Sequence, residues 1–378
     1  MTASAASSGS SWFQRFLLPG FALKAVIIGG GYATGRELAE YFVPAGPWGG
    51  LAAMLLATAI WSVVAALTFA LARAMGAYDY RTFFQKLLGP AWIAFEIAYL
   101  IFVILILAVF GAAAGAIGTA TFGWPEAAGA VPLALGIIAT VALGTGAVEQ
   151  VFKYVSFLLY GVYALFLVLA LASFGGLIGQ GFANAQPPSG NWIPGGLTYA
   201  SYNIVGAVVI LPVLRHLTSR RDAVVAGLIA GPLAMLPAIL FFVAMMAFYP
   251  QIGAEALPSD FLLRMMGIPA FHLLFQVMIF AALLESGAGA VHAVNERISG
   301  ALEARGRAPL GTTARALISA AILAGCMFVA ARIGLIALIA SGYRFLAWMF
   351  LAVYLVPLLT LGVWRLFRTP SKPLEPAQ

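Results

Sequence analysis

Apolar residues along this chain fall in continuous runs of about 20, the length at which an α-helix spans the hydrocarbon of a bilayer. The runs are bounded by Pro, Gly and charge. None alternates with period two, which argues against a barrel. Ten helices follow, near 18–43, 49–73, 90–119, 130–147, 151–178, 196–214, 223–249, 269–296, 312–332 and 345–367. In lipid every backbone donor and acceptor must be paired internally, so helices are the consistent solution. The predicted fold class is all-α, a polytopic membrane protein of about ten transmembrane helices.

Composition strengthens this picture. Hydrophobic residues make up 63% of the 378 positions and charged residues 9%, with a mean hydropathy of +1.00. A soluble domain carries roughly 25% charged residues because its surface faces water. The net charge of +7 could suggest nucleic acid, but the basic residues are scattered through short loops, not gathered on one face. They read as topology determinants instead.

With the amino terminus inside, one side holds Arg15; Arg73, Arg81 and Lys86; Lys153; Arg215, Arg220 and Arg221; Arg297, Arg305, Arg307 and Arg315; and Arg365, Arg368 and Lys372. The other side holds Arg264, with Arg332 and Arg344 at its margin, while Lys24 and Arg36 fall within the first helix. The asymmetry predicts a protein of the cytoplasmic (inner) membrane with both termini in the cytoplasm. The first apolar run has no small-residue cleavage site and is expected to be retained. A lone Cys326 provides no disulfide framework.

The segment GQGFANAQPPSGNWIPGG (179–196) carries no charge and divides the chain near its midpoint. Five helices lie on either side. Because five is odd, the second set enters from the opposite face, which is an inverted-topology repeat. The organisation is therefore a polar tail (1–17), a first five-helix repeat (18–178), an external loop (179–195), a second repeat (196–368) and a short tail (369–378).

Each repeat opens on an unusual helix. In the first, Gly29, Gly30 and Gly31 are consecutive, and each costs about 1 kcal/mol relative to Ala in a helix interior. They invite the backbone to unwind, and unwound backbone at that depth must be buried in protein or line a cavity. Freed carbonyls could bind a cation and the following amide end a carboxylate. Tyr32 and Thr34 add hydroxyls, and Arg36 and Glu37 follow. Close glycine packing is the competing explanation. In the second repeat, Thr198, Tyr199, Ser201, Tyr202 and Asn203 all carry hydrogen-bonding side chains within one span. A polar solute, the first helix or other neighbours would have to satisfy them.

The eighth helix contains Glu285 and Ser286, followed by His292 and Asn295. An ionisable residue in a span is a functional hypothesis by default. Glu285 could carry a proton and Ser286 could ligate an alkali cation, or Glu285 could pair structurally with His292 or Lys24. Glu96 and Glu149 are expected at the interface, paired with Lys or Arg. Pro212 and Pro237 are expected to kink their helices. The chain offers no enzyme motif: His216, His272 and His292 lack metal-ligand spacing, and there is no nucleophile elbow or phosphate loop. No cofactor is implied.

Four segments, GGGYATGRE (29–37), YASYN (199–203), NERI (295–298) and GLIALIASGY (334–343), together resemble the YkvI-type family of bacterial membrane proteins. That resemblance implies an amino-acid permease-like protein with the LeuT-like fold of the amino acid–polyamine–organocation superfamily. Its five-plus-five helices would be broken in the first and sixth. The resemblance also implies a coupling ion between the first break and the eighth helix, at Gly29, Ala33, Glu285 and Ser286, with Gly29, Ala33 and Ser286 as the sodium ligands. Arg36 departs from the glutamine-like residue expected before the glutamate, and Glu285 tilts the coupling ion towards a proton.

The expectation is a secondary transporter of a small polar solute, an amino acid or related zwitterion, driven by protons or sodium through alternating access. Gly29, Gly30, Gly31, Tyr32, Thr34 and Arg36 would meet its carboxylate end, and Ser201, Tyr202 and Asn203 its amine. The alternative is a nutrient-sensing receptor of the same fold that binds without transporting. The short tails and loops leave such a receptor little surface for a signalling partner.

Overall fold

A computed structural model describes residues 10–27, 29–188, 192–303 and 305–368. Among the described residues, seven helices are long and apolar enough to cross a membrane, and Glu126–Ala142 is a shorter apolar one. Two further spans are interrupted, which brings the total to ten. The first runs through Leu18–Ile27, Gly30–Ala33 and Arg36–Tyr41. The sixth runs through Trp192–Asn203, Gly206–Val209 and the 3-10 segment Leu211–His216.

The continuous spans are Gly46–Met75 (second), Trp92–Phe122 (third), Glu126–Ala142 (fourth) and Thr145–Ala183 (fifth). Beyond the sixth come Arg220–Met245 (seventh), Pro269–Glu303 (eighth) and Thr312–Ile333 (ninth). The tenth covers 335–368 and contains three π-helical stretches, Leu338–Gly342, Leu351–Leu355 and Leu358–Gly362. An even number of spans puts Ser10 and Arg368, the outermost described residues, on one face, called the terminal face below.

Several boundaries move from the sequence expectation. The turn between the fourth and fifth spans falls at Gly144, whose φ of 88° suits glycine. The fifth helix therefore begins at Thr145 and takes in Glu149. It also continues to Ala183, so the loop expected at 179–195 is shorter. Pro212 opens the 3-10 segment of the sixth span, where its missing N–H is tolerated. Pro237 lies inside the seventh helix, and its carbonyl accepts a hydrogen bond from the Tyr163 hydroxyl at 3.0 Å.

Among the described residues, two short α-helices lie outside the spans. Tyr80–Leu88 is capped by Asp79, whose carboxylate accepts from the Thr82 amide at 2.8 Å. It buries Phe83, Phe84 and Leu87 on one side, the pattern of a helix lying along the membrane surface. On the opposite face, Pro258–Met266 joins the seventh and eighth spans.

The second and seventh spans hold equivalent places in the two repeats and form an extensive contact at the centre of the protein. Small residues make it possible. A Cβ on Gly227 would lie 2.3 Å from the Ala66 amide nitrogen, and one on Gly231 would lie 2.2 Å from Ser62 Oγ. Ser62 donates across the contact to the Leu228 carbonyl at 3.0 Å. Close backbone approach through small residues is how helices associate where lipid removes the hydrophobic driving force.

Candidate substrate site at two broken spans

The first span stops at Ile27. The Gly29 amide turns back onto the Ile27 carbonyl at 2.8 Å, and one helical turn follows before Thr34 and Gly35 interrupt it again. Gly35 has φ 77°, and a Cβ there would lie 2.6 Å from the Phe241 ring. Both facts demand glycine. Thr34 closes the turn by donating its hydroxyl to the Gly31 carbonyl at 2.9 Å. Phe110 of the third span packs on Gly29, and the eighth span packs on the turn Gly30–Ala33.

The short helix Arg36–Tyr41 sends Glu37 back over this break. A Cβ on Gly31 would stand 2.3 Å from Glu37 Oε1, so the carboxylate occupies the space the glycine leaves. Glu37 is 4% exposed. Its Oε2 accepts a 2.6 Å hydrogen bond from the Tyr202 hydroxyl of the sixth span. One buried bond thus joins the two broken spans. Glu37 was not among the expected site residues, although it ends the GGGYATGRE motif.

Aromatic rings surround the bridge. Tyr202 packs at a tilt on Tyr343 of the tenth span, ring centroids 4.5 Å apart, and lies 5.6 Å from Tyr199. Tyr41 lies 6.0 Å from Tyr202 and 6.2 Å from Tyr199. Tyr41 also donates to the Ile339 carbonyl in the first π-helical stretch of the tenth span, at 2.5 Å. Trp61 of the second span donates to the Ala200 carbonyl at 3.1 Å, just ahead of the sixth-span break. All these rings are buried.

The other expected site residues divide. Tyr32 is buried at the break, its hydroxyl 3.4 Å from that of Tyr163. Ser201 donates to the Leu197 carbonyl at 2.6 Å and Asn203 to the Tyr199 carbonyl at 3.1 Å. Each uses its donor on its own helix, four residues back. Arg36 points away from the break. Its guanidinium donates to the Gly253 and Glu255 carbonyls, both at 2.8 Å, and pairs with Glu40 at 2.8 Å. It ties the first span to the connection between the seventh and eighth, which the Ser259 amide also holds by donating to the Thr34 carbonyl at 3.0 Å.

That connection is anchored in turn by the buried Asp260. Its carboxylate meets His272 Nε2 at 2.7 Å, Gln276 Nε2 at 2.8 Å and Arg264 Nε at 3.0 Å. On the terminal face Arg15 pairs with Asp222 at 2.7 Å, and Arg73 donates to the Leu217 and Thr218 carbonyls. The broken spans are therefore tied down towards both faces, with the Glu37–Tyr202 bridge buried between.

The expected ion region lies against the first break. Gly29 and Ala33 are buried and Ser286 is half-buried; the Gly29 carbonyl accepts the Ala33 amide at 2.9 Å. Glu285 is half-buried and within electrostatic reach of Tyr160. The Lys24 ammonium sits 3.9 Å above the same ring, and Lys24 is 8% exposed. Lys24, Tyr160 and Glu285 thus share one neighbourhood between the first, fifth and eighth spans. Glu96 pairs with Arg297 at 3.0 Å, as expected of an interfacial acid.

Sequence comparison finds YkvI, an uncharacterised membrane protein of Bacillus subtilis (strain 168), 20% identical over 296 residues that cover 76% of this chain and 82% of YkvI. Among solved structures, MhsT in complex with L-phenylalanine superposes with a TM-score of 0.62 at 14% identity, covering 96% of this chain and 99% of MhsT. The chain is similar to YkvI and has a LeuT-like fold. A manganese transporter of Eremococcus coleocola, in a point-mutant form, also matches, with a TM-score of 0.50, 16% identity and coverage of 92% and 78%. No protein-family model matches the chain. The LeuT-like fold accounts for the inverted five-plus-five arrangement and for the pairing of the first and sixth breaks.

Proposed function

We propose that this protein is a secondary active transporter of a small polar solute of the amino-acid or amine class, working by alternating access. The observation that carries the reading is the buried hydrogen bond from Tyr202 to Glu37, which joins two oppositely directed broken spans where irregular backbone is sheltered. The similarity of fold to MhsT with L-phenylalanine supports a ligand of that size. The ties of Arg36 on one face and of Arg15 and Arg73 on the other supply two sets of contacts that can open in turn.

The lysines and arginines concentrated on the terminal face support a cytoplasmic location for both ends. Coupling is assigned to the region of Gly29, Ala33, Glu285 and Ser286, by proton or sodium. The test is uptake of radiolabelled amino acids and amines into proteoliposomes under imposed proton or sodium gradients. Accumulation that collapses with one gradient is expected, and Glu285→Gln should abolish pH-dependent uptake. Ligand binding without flux under any gradient would move the reading to a receptor. Unchanged pH dependence in the Glu285 variant would remove that residue from coupling.

A further inference from the structure

Glu37 lies among buried tyrosines, and no cation is paired with it among the described residues. Its carboxylate receives one hydrogen bond, from Tyr202. The nearest basic residue in the chain, Arg36, is spent on Gly253, Glu255 and Glu40. Lys24 stands over Tyr160, and Arg344, whose charge reaches Tyr41, is itself exposed. A carboxylate buried at this depth is strongly disfavoured unless something positive or hydrogen-bonding meets it.

The surroundings suit a cation. The rings of Tyr41, Tyr199, Tyr202 and Tyr343 form one contiguous cluster within electrostatic reach of Glu37. Aromatic faces attract ammonium groups, most strongly where water is excluded. The Tyr199 hydroxyl is buried with no hydrogen-bond partner, and a phenol oxygen can accept from an ammonium N–H. The absence of a side chain at Gly31 brings Glu37 against the broken backbone itself. Arg36, the side chain expected to receive a carboxylate, is engaged elsewhere, so a second anionic group would enter beside Glu37 uncompensated by it.

We infer that the site selects a small protonated amine, held by Glu37 and the tyrosine cluster, in preference to the amino acid that carries the same side chain. This inference rests on the proposed transport reading and narrows its substrate class. The test is binding, because neutral amines leak across bilayers and blur flux. Calorimetry on the purified full chain would compare isoamylamine with leucine, phenethylamine with phenylalanine, and putrescine with ornithine.

At least one amine should bind roughly tenfold or more tightly than its parent amino acid, and Glu37→Gln should weaken it about a hundredfold. Glu37→Asp, which keeps the charge, should recover part of that loss. Parent amino acids binding as tightly as the amines would overturn the inference while leaving the transport reading intact. Amine binding that survives Glu37→Gln would also overturn it. Binding of neither series by folded protein would overturn both readings.

Discussion

The two broken spans hold corresponding places in the repeats but are built from different materials. The first breaks on consecutive glycines and returns a carboxylate, Glu37, onto the gap it has made. The sixth breaks at Ile204 and Val205, neither of them glycine, and continues through Gly206 into tightened 3-10 turns. It contributes rings and hydroxyls but no charge. One break therefore supplies the electrostatics of the site and the other its walls. At the breaks themselves, Gly31 should be far less replaceable than Gly206.

The comparison breaks most directly at Gly31. Valine there would drive its Cβ to within 2.3 Å of Glu37 Oε1 and 2.9 Å of its Cγ. Overpacking of that size shifts the side chain or the backbone. Gly31→Val should weaken ligand binding by roughly a hundredfold, as the loss of a buried charged contact would. Calorimetry on the ligand found for the parent protein checks it, and binding within a few fold would mean Glu37 does not form the site.

Tyr202→Phe tests the bridge from the other side. The ring and its packing against Tyr343 remain, while Glu37 loses its hydroxyl donor. Hydrogen bonds to charged groups contribute about 2 kcal/mol, and an unsatisfied buried acceptor adds its desolvation. Denaturation in detergent should show a loss of about that size. Unaltered stability would indicate that the two breaks are not energetically joined at this bond.

Arg36 separates the gate from the site. Arg36→Gln should loosen the connection at Gly253 and Glu255 while leaving the ring packing of the tyrosine cluster in place. With Cys326 replaced by Ser and a reporter cysteine at Ser259, thiol labelling should quicken by about tenfold, equivalent to about 1.4 kcal/mol of opening free energy. Labelling at the parent rate would show that the Ser259–Thr34 backbone bond holds the connection without Arg36.

How much of this was legible from residue order differs by position. Span number and the first break were readable because apolar run length and glycine propensity act locally. Arg36 reads from sequence as a ligand of the site, whereas its guanidinium donates to carbonyls 217 and 219 positions away, a distance no motif encodes. Ser201 and Asn203 looked available, yet the carbonyl four residues back is always within reach in a helix and competes with any solute.

Glu37 did leave a signal. Arg36 and Glu40 stand at i and i+4 and can satisfy each other, which leaves Glu37 as the unpaired acid of the motif. At the fourth and fifth spans, apolar residues continue across the turn, so the run length overshot while Gly144 marked the true boundary. The clustering of Tyr41 with Tyr199, Tyr202 and Tyr343 depends on the tenth span meeting the first and sixth, and it required the tertiary structure.

The smallest expected effect falls on the sixth span. A Cβ on Gly206 would meet Leu23 Cδ1 at 2.8 Å and Val26 Cγ1 at 3.5 Å. The nearer contact is the far end of a flexible side chain, which can rotate away. Gly206 begins a helical turn and is not among the positive-φ glycines, so alanine fits its backbone and gains up to about 1 kcal/mol of helix propensity. The strain of moving Leu23 is about 1 kcal/mol and opposes that gain. Gly206→Ala should therefore change stability by no more than about 0.5 kcal/mol and leave ligand binding within a few fold. A loss as large as that at Gly31 would mean both breaks depend on glycine in the same way, and the division between a charged break and a walling break would no longer hold.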